Sequence, residues 1–160
     1  MVWAAIWGDK RSDLIQLERD FDSKKNGYSS KSYLKVIEDI LPTIYEPGLL
    51  FMQDNAPIHT SKESKAWFVD NGIKLLDWPP YSPDLNPIEN LWFPLKEGVY
   101  IVNPDIENTP GGEDTISNIL AQAAQQSWED LQASLIKNCV GSMKKRLEAV
   151  IEAEGWYTGY

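Results

Sequence analysis

The run Leu49-Leu50-Phe51-Met52-Gln53 constrains this chain more than any other stretch. It is short and continuously apolar, enters from the turn signal Glu46-Pro47-Gly48, and gives way at once to Asp54-Asn55. Such a run between turn signals fits a strand buried on both faces, which requires helices to cover it. Residues 73–77 form a second short strand. Between the two, Thr60 or Ser61 caps a helix that continues to Asp70 and stops at Asn71-Gly72.

The remaining elements extend the same alternation. Residues 2–7 and 12–18 flank Gly8-Asp9-Lys10-Arg11 and read as a β-hairpin. Ser29 or Ser30 caps a helix with Tyr33, Leu34, Ile37, Ile40 and Leu41 on one stripe, and Pro42 is expected to end it. Four prolines stiffen the loop 78–87. Asn86 then caps a helix with Pro87 at its first position, and Glu89 stands at capping-box spacing from Asn86. Pro94 should kink or shorten that helix, and residues 99–112 read as irregular. Residues 113–154 are helical, with Ser127-Trp128-Glu129-Asp130 as a fresh start and Gly155 as the stop. Trp3, Trp7, Trp67, Trp78 and Trp92 recur on these elements and read as core. The order β-β-α-β-α-β-α-α-α is an α/β pattern whose helices gather toward the C-terminal end.

The balance of charge excludes one simple reading. Fifteen basic residues against 24 acidic ones give a net charge of −9. The deficit concentrates in residues 81–160, which carry 5 basic and 12 acidic side chains. A chain that grips nucleic acid by counterion release should carry a basic stripe, and composition shows none. Acidic residues are compatible with a metal-dependent site. A single cysteine, Cys139, leaves no internal disulfide and no cysteine-rich zinc site. The longest apolar run, residues 1–7, is far too short to span a bilayer, so no membrane partner is expected.

Two segments carry candidate chemistry. In FMQDNAPIHTS (51–61) Asp54 directly follows the buried strand, the edge where open α/β sheets present functional groups. Read alone, Asp54-Asn55 is more simply turn chemistry. In WPPYSPDLNPIENLW (78–92) the simpler role for Glu89 is a capping carboxylate near the positive end of a helix. Taken together, with 34 residues between Asp54 and Glu89, the segments resemble the mariner superfamily of cut-and-paste DNA transposases. The resemblance rests on Gln53-Asp54-Asn55-Ala56-Pro57, His59, Trp78-Pro79-Pro80, Ser82-Pro83-Asp84-Leu85-Asn86-Pro87-Ile88-Glu89-Asn90 and Leu91-Trp92. It continues more weakly through Ser142-Met143-Lys144-Lys145-Arg146-Leu147 to Gly155, and in the opening hairpin.

That resemblance implies a ribonuclease-H-like mixed sheet with flanking helices. The partial core would occupy residues 1–112, with residues 113–160 a C-terminal helical segment of the same domain. It implies an Asp-Asp-Glu or Asp-Asp-Asp triad working with Mg²⁺ or Mn²⁺. Asp54 and Glu89 would then be catalytic carboxylates and metal ligands, which suits a hard cation. Asn55, His59 and Asn86 would support the site, and Lys62, Lys65 and Lys96 could meet phosphates. The implied partner is double-stranded DNA, transposon ends and target, held largely through regions outside this chain. A homodimer is allowed, and the implied compartment is the nucleus. Lys144-Lys145-Arg146, the one basic cluster in the acidic half, could contact DNA or act as a weak nuclear signal.

One departure matters. The family's first Asp lies on a strand ahead of the hairpin, and this sequence opens at the hairpin. The expectation is therefore that the first strand, the first triad carboxylate and the end-reading helix-turn-helix region are absent. With two carboxylates, ion binding should be weak and strand cleavage by this chain slight. Three readings stay open: a catalytic-domain remnant, a module that keeps the fold without the chemistry, and an active domain whose first strand is encoded upstream.

Overall fold

In a computed structural model of the chain, residues 1–24 and 26–160 are described. They form a mixed α/β chain in two compact units: Met1–Trp3 with Gln16–Asn86, and Ala4–Ile15 with Pro87–Tyr160. The strands are two residues long: β1 (Val2–Trp3), β2 (Ile6–Trp7), β3 (Lys10–Arg11) and β4 (Ile15–Gln16). β1 pairs with β4, and β2 pairs antiparallel with β3, with Ile6 opposite Arg11 and Trp7 opposite Lys10. The expected hairpin is present, with a tighter turn: Gly8 takes φ +58°, a left-handed value that favours glycine, while Lys10 and Arg11 belong to the strand.

In the first unit, α1 (Ser30–Ile44) starts from Ser29, whose hydroxyl oxygen accepts from the Lys31 N–H while Ser32 reaches back to the Ser29 N–H. Pro42 does not end this helix, which runs two residues further, to Ile44. The lost donor is the one that would meet the Glu38 carbonyl, and packing of Leu41 and Ile44 into the core outweighs it. Tyr33, Ile37 and Leu41 of α1 bury against Phe68 and Ile73, with Phe51 stacked on Phe68 at 5.5 Å. The strand expected at 49–53 is reduced to one parallel bridge, Phe51 opposite Leu75, the Phe51 N–H donating to the Lys74 carbonyl at 2.8 Å. α2 (Pro57–Thr60) is a single unforeseen turn. α3 (Lys62–Asp70) is capped by Ser61 and closes at Asn71-Gly72 as the sequence predicts, Gly72 at φ +65°.

In the second unit, α4 (Glu89–Val102) packs on α5 (Glu113–Asp130), followed by α6 (Ala133–Gly141) and α7 (Met143–Glu152). Leu91, Leu95 and Val99 repeat every four residues along α4 and bury against Ala123, Ala124 and Trp128. That contact explains why Pro94 leaves α4 unshortened and why residues 99–102 are helical rather than irregular. The helices approach closely because Gly98 faces Ser127: a Cβ at Gly98 would sit 2.1 Å from Ser127 Oγ. Ser127 Oγ donates to the Leu95 carbonyl at 2.8 Å. Ser127-Trp128-Glu129-Asp130 is therefore the end of α5, not a new start; the chain breaks at Leu131-Gln132. There Arg11 caps α5, donating to the Leu131 carbonyl at 2.6 Å and to the Glu129 carbonyl.

The tryptophan expectation also changes. Trp3, Trp67 and Trp92 are half-buried and do pack against the cores, Trp7 and Trp78 are half-buried without joining them, and the centre of the second core is Trp128, 1% exposed, its indole N–H donating to the Ser12 carbonyl. Gly155, at φ +84°, donates to the Val150 carbonyl just past α7, where the stop was expected. No helix among the described residues is long and apolar enough to cross a membrane.

Candidate active site

The Phe51–Leu75 bridge delivers the chain to Asp54 at its carboxyl end. There Asp54 Oδ1 accepts twice: from the Ala56 N–H at 3.0 Å and from His59 Nδ1 at 2.6 Å. The first bond is an Asx turn, so the turn reading of Asp54 is correct as far as it goes. The second orients the carboxylate. A carboxylate oxygen accepts, so His59 Nδ1 carries a proton and donates it to Asp54. Asp54 is half exposed, its side chain at 53%, while His59 is at 17%. No hydrogen bond to Asp54 Oδ2 is found among the described residues.

His59 is held in turn. It lies on α2, which is tied to α3 by Ser64, a buried hydroxyl donating to the Ile58 carbonyl at 2.7 Å. The ring of Tyr33 packs against the imidazole at 4.5 Å between centroids. The Tyr33 hydroxyl donates to Gln53 Oε1, so one buried α1 residue touches both the neighbour of Asp54 and its histidine partner. Burial first, and the Asp54 charge second, push the Tyr33 phenol well above its ordinary value, which keeps it a neutral donor. Asn55 Nδ2 donates to the Trp78 carbonyl at 2.9 Å, joining the first candidate segment to the start of the second.

The second segment takes a form the sequence does not suggest. Pro83–Leu85 is a 3₁₀ turn, closed by the Asn86 N–H donating to the Pro83 carbonyl at 2.9 Å. The helix cap is Ile88, not Asn86, with no side-chain cap bond, so Pro87 precedes the helix and Glu89 is its first residue. The capping-box expectation is thereby corrected: Pro87-Ile88 form a turn, and the Leu91 N–H donates to the Ile88 carbonyl at 2.9 Å. Glu89 is exposed, and it lies with Lys96 in the second unit. Asp54, Asn55, His59, Lys62, Lys65 and Asn86 belong to the first, with both lysines exposed on α3.

Lys144-Lys145-Arg146 does not act as one basic patch. Lys144 and Lys145 are exposed, but Arg146 is 2% exposed and hydrogen-bonded to Asn90 and Ser142, so the three do not share one exposed face. The sequence reading also missed Tyr33 and Gln53 as site residues. Tyr33 falls on the apolar stripe of α1, and nothing in its spacing distinguishes a core phenol from one that braces a site.

Among the described residues no group of three or more His, Cys, Asp or Glu side chains could hold a metal ion. The donor chemistry at Asp54 nonetheless suits a hard divalent cation: an exposed carboxylate with one oxygen oriented by two donors and the other accepting no hydrogen bond among the described residues.

Comparison with known proteins places these features in a class. Residues 18–102, which contain both candidate segments, match the family model described as DDE superfamily endonuclease. The chain belongs to the DDE endonuclease superfamily, an enzyme family that is generally dependent on divalent metal ions. Among its relatives, it is 34% identical to the Tcb2 transposase of Caenorhabditis briggsae, over 100% of this chain and 54% of that protein. It is 37% identical to the Tc1 transposase of Caenorhabditis elegans over 71% of this chain and 38% of the relative. With the Tc3 transposase of the same species the identity is 36%, over 97% and 44%. The chain spans about half the length of the curated relatives it matches.

Proposed function

We propose that this chain is part of a transposase catalytic domain that cleaves and joins DNA strands by phosphoryl transfer. The observation that carries the reading is Asp54, set by His59 and the Ala56 N–H at the end of the Phe51–Leu75 bridge, inside the segment that matches the DDE family. The parallel pairing at Phe51 is in keeping with a ribonuclease-H-like sheet, of which residues 1–112 would be a part and residues 113–160 the helical completion. Double-stranded DNA, as transposon ends and target, is the substrate this reading implies, in the nucleus, with a homodimer as the assembly that would hold two ends.

Asp54 and Glu89 would hold the cation, Mg²⁺ or Mn²⁺. Bound there, it would supply Lewis-acid stabilisation of charge on the phosphate oxygens. The protein's own groups do the rest. His59 fixes which Asp54 oxygen faces outward. Asn55 anchors the loop on Trp78. Lys62, Lys65 and Lys96 are exposed and available to phosphates, which would position DNA without reading its sequence. In the displacement, a bond from a water or 3′-hydroxyl oxygen to phosphorus forms as the bond to the leaving 3′-oxygen breaks.

Titration with Mn²⁺, followed by electron paramagnetic resonance, tests the reading. Asp54→Asn and Glu89→Gln should each weaken binding by about tenfold or more. Binding unchanged by both would overturn it. Nicking of supercoiled plasmid with Mn²⁺, lost in either variant, would support the catalytic reading. Metal binding without nicking would favour a fold kept without its chemistry.

A further inference from the structure

Arg146 is the buried charge that the site described above does not use. Taking a guanidinium out of water is costly unless its donors are satisfied and its position repays the cost. Here Nε donates to Ser142 Oγ at 2.7 Å, and Ser142 Oγ donates to the Cys139 carbonyl at 2.6 Å. The guanidinium carbon lies over the Tyr160 ring, 4.9 Å from its centre. Held on these sides, Nη2 donates to Asn90 Oδ1 at 2.8 Å. Asn90 directly follows Glu89 and sits in the first turn of α4. Pro94 withholds the N–H that would have met the Asn90 carbonyl. The first turn of α4 thus lacks one backbone bond that ordinarily stiffens a helix, and a donor from α7 is bonded to it.

We propose that Arg146 is a positioning residue for Glu89: acting through Asn90, it sets the first turn of α4 and so the direction in which the Glu89 carboxylate meets a divalent cation. The proposal rests on Glu89 being a metal ligand, as proposed above. It makes the C-terminal helix part of the site's architecture although Arg146 touches neither metal nor DNA. The planar fork is suited to this task because two of its nitrogens bond in different directions at once, which a lysine ammonium on a flexible stem does poorly.

Mn²⁺ titration of this chain tests it, with thermal unfolding measured in parallel. Asn90 is exposed, so Asn90→Ala should fold normally and keep its melting temperature within a few degrees of wild type while the Mn²⁺ dissociation constant rises about tenfold. Arg146→Met should raise it similarly, and the double variant should be no worse than either single one, because both remove the same bond. Arg146→Lys should recover part of the loss. Additive losses in the double variant, or an Asn90→Ala dissociation constant equal to wild type, would overturn the proposal whenever Glu89→Gln weakens binding. Glu89→Gln without effect would overturn the metal-site reading itself, and this inference with it.

Discussion

The two units hold their candidate carboxylates by opposite means. In the first, Asp54 is fixed by neighbours in the chain: the Ala56 N–H two residues on and His59 five residues on. In the second, the turn that carries Glu89 is bonded to Arg146, 56 positions away from Asn90. Their cores differ in the same sense. The first gathers aromatic rings around one helix and a bridge: Tyr33, Phe51 stacked on Phe68, and Trp67 edge-on to Phe68. The second is a close helix–helix contact that depends on the smallness of Gly98 and Ser127 beside the bulk of Trp128. The difference teaches that one carboxylate is placed by local turn chemistry and the other by the packing of a helical bundle. Substitutions far from Glu89 should therefore disturb its surroundings, while the Asp54 turn should respond chiefly to residues near it.

The sharpest way to break the contrast is at the centre of the second core. Trp128→Ala removes the largest buried side chain and its bond to the Ser12 carbonyl, and should cost about 3–5 kcal/mol in denaturant unfolding. Gly98→Ala is next: its Cβ collides with Ser127 Oγ, and the expected loss is about 1–3 kcal/mol. Adding Ser127→Ala to that variant should restore part of it, and no recovery would mean the helices do not meet there. In the first unit, Tyr33→Phe keeps the ring against His59 but removes the donor to Gln53, for about 1 kcal/mol. The His59 ring resonances should shift only slightly, because the Asp54 bond survives; a large shift would show that the phenol, not the turn, sets the imidazole.

The smallest effect concerns pH. Asp20 Oδ2 accepts from the hydroxyl of Ser29, the cap of α1, at 2.6 Å. This bond above all, with the Asp22 N–H, holds the Asp20 carboxyl below its ordinary value. A carboxylate whose pKa is depressed by folding contributes stability above its unfolded pKa, and that contribution is lost as pH falls through the lower, folded value. The unfolding midpoint of the wild type should therefore fall, modestly because Asp20 is only half-buried, as the pH drops below the ordinary aspartate range. Asp20→Asn should lack this increment; an unchanged slope would remove Asp20 from the account of the α1 cap.

Much of the first unit was legible. Ser61, Asn71 and Gly72 bound α3 because capping oxygens and left-handed glycine are local properties, and Asp54 after an apolar run between turns is likewise readable in place. The second unit was less so. Asn86 has the residue type of a cap and Glu89 the right spacing, yet the helix starts from Ile88. Pro42 and Pro94 are strong local stop signals overruled by packing. Lys144, Lys145 and Arg146 look alike in sequence and are separated only by the helix face each occupies.

The chain's own sequence determined its class, its family and the two acidic segments that the family match contains, because side-chain type, turn propensity and motif spacing are written residue by residue. Tertiary structure alone decided that Trp128 is the centre of a core, that helices run through their prolines, and that a basic cluster contributes one buried arginine bonded beside a carboxylate. Each of those outcomes depends on burial and on partners remote along the chain, and burial is a property of the fold rather than of any local stretch.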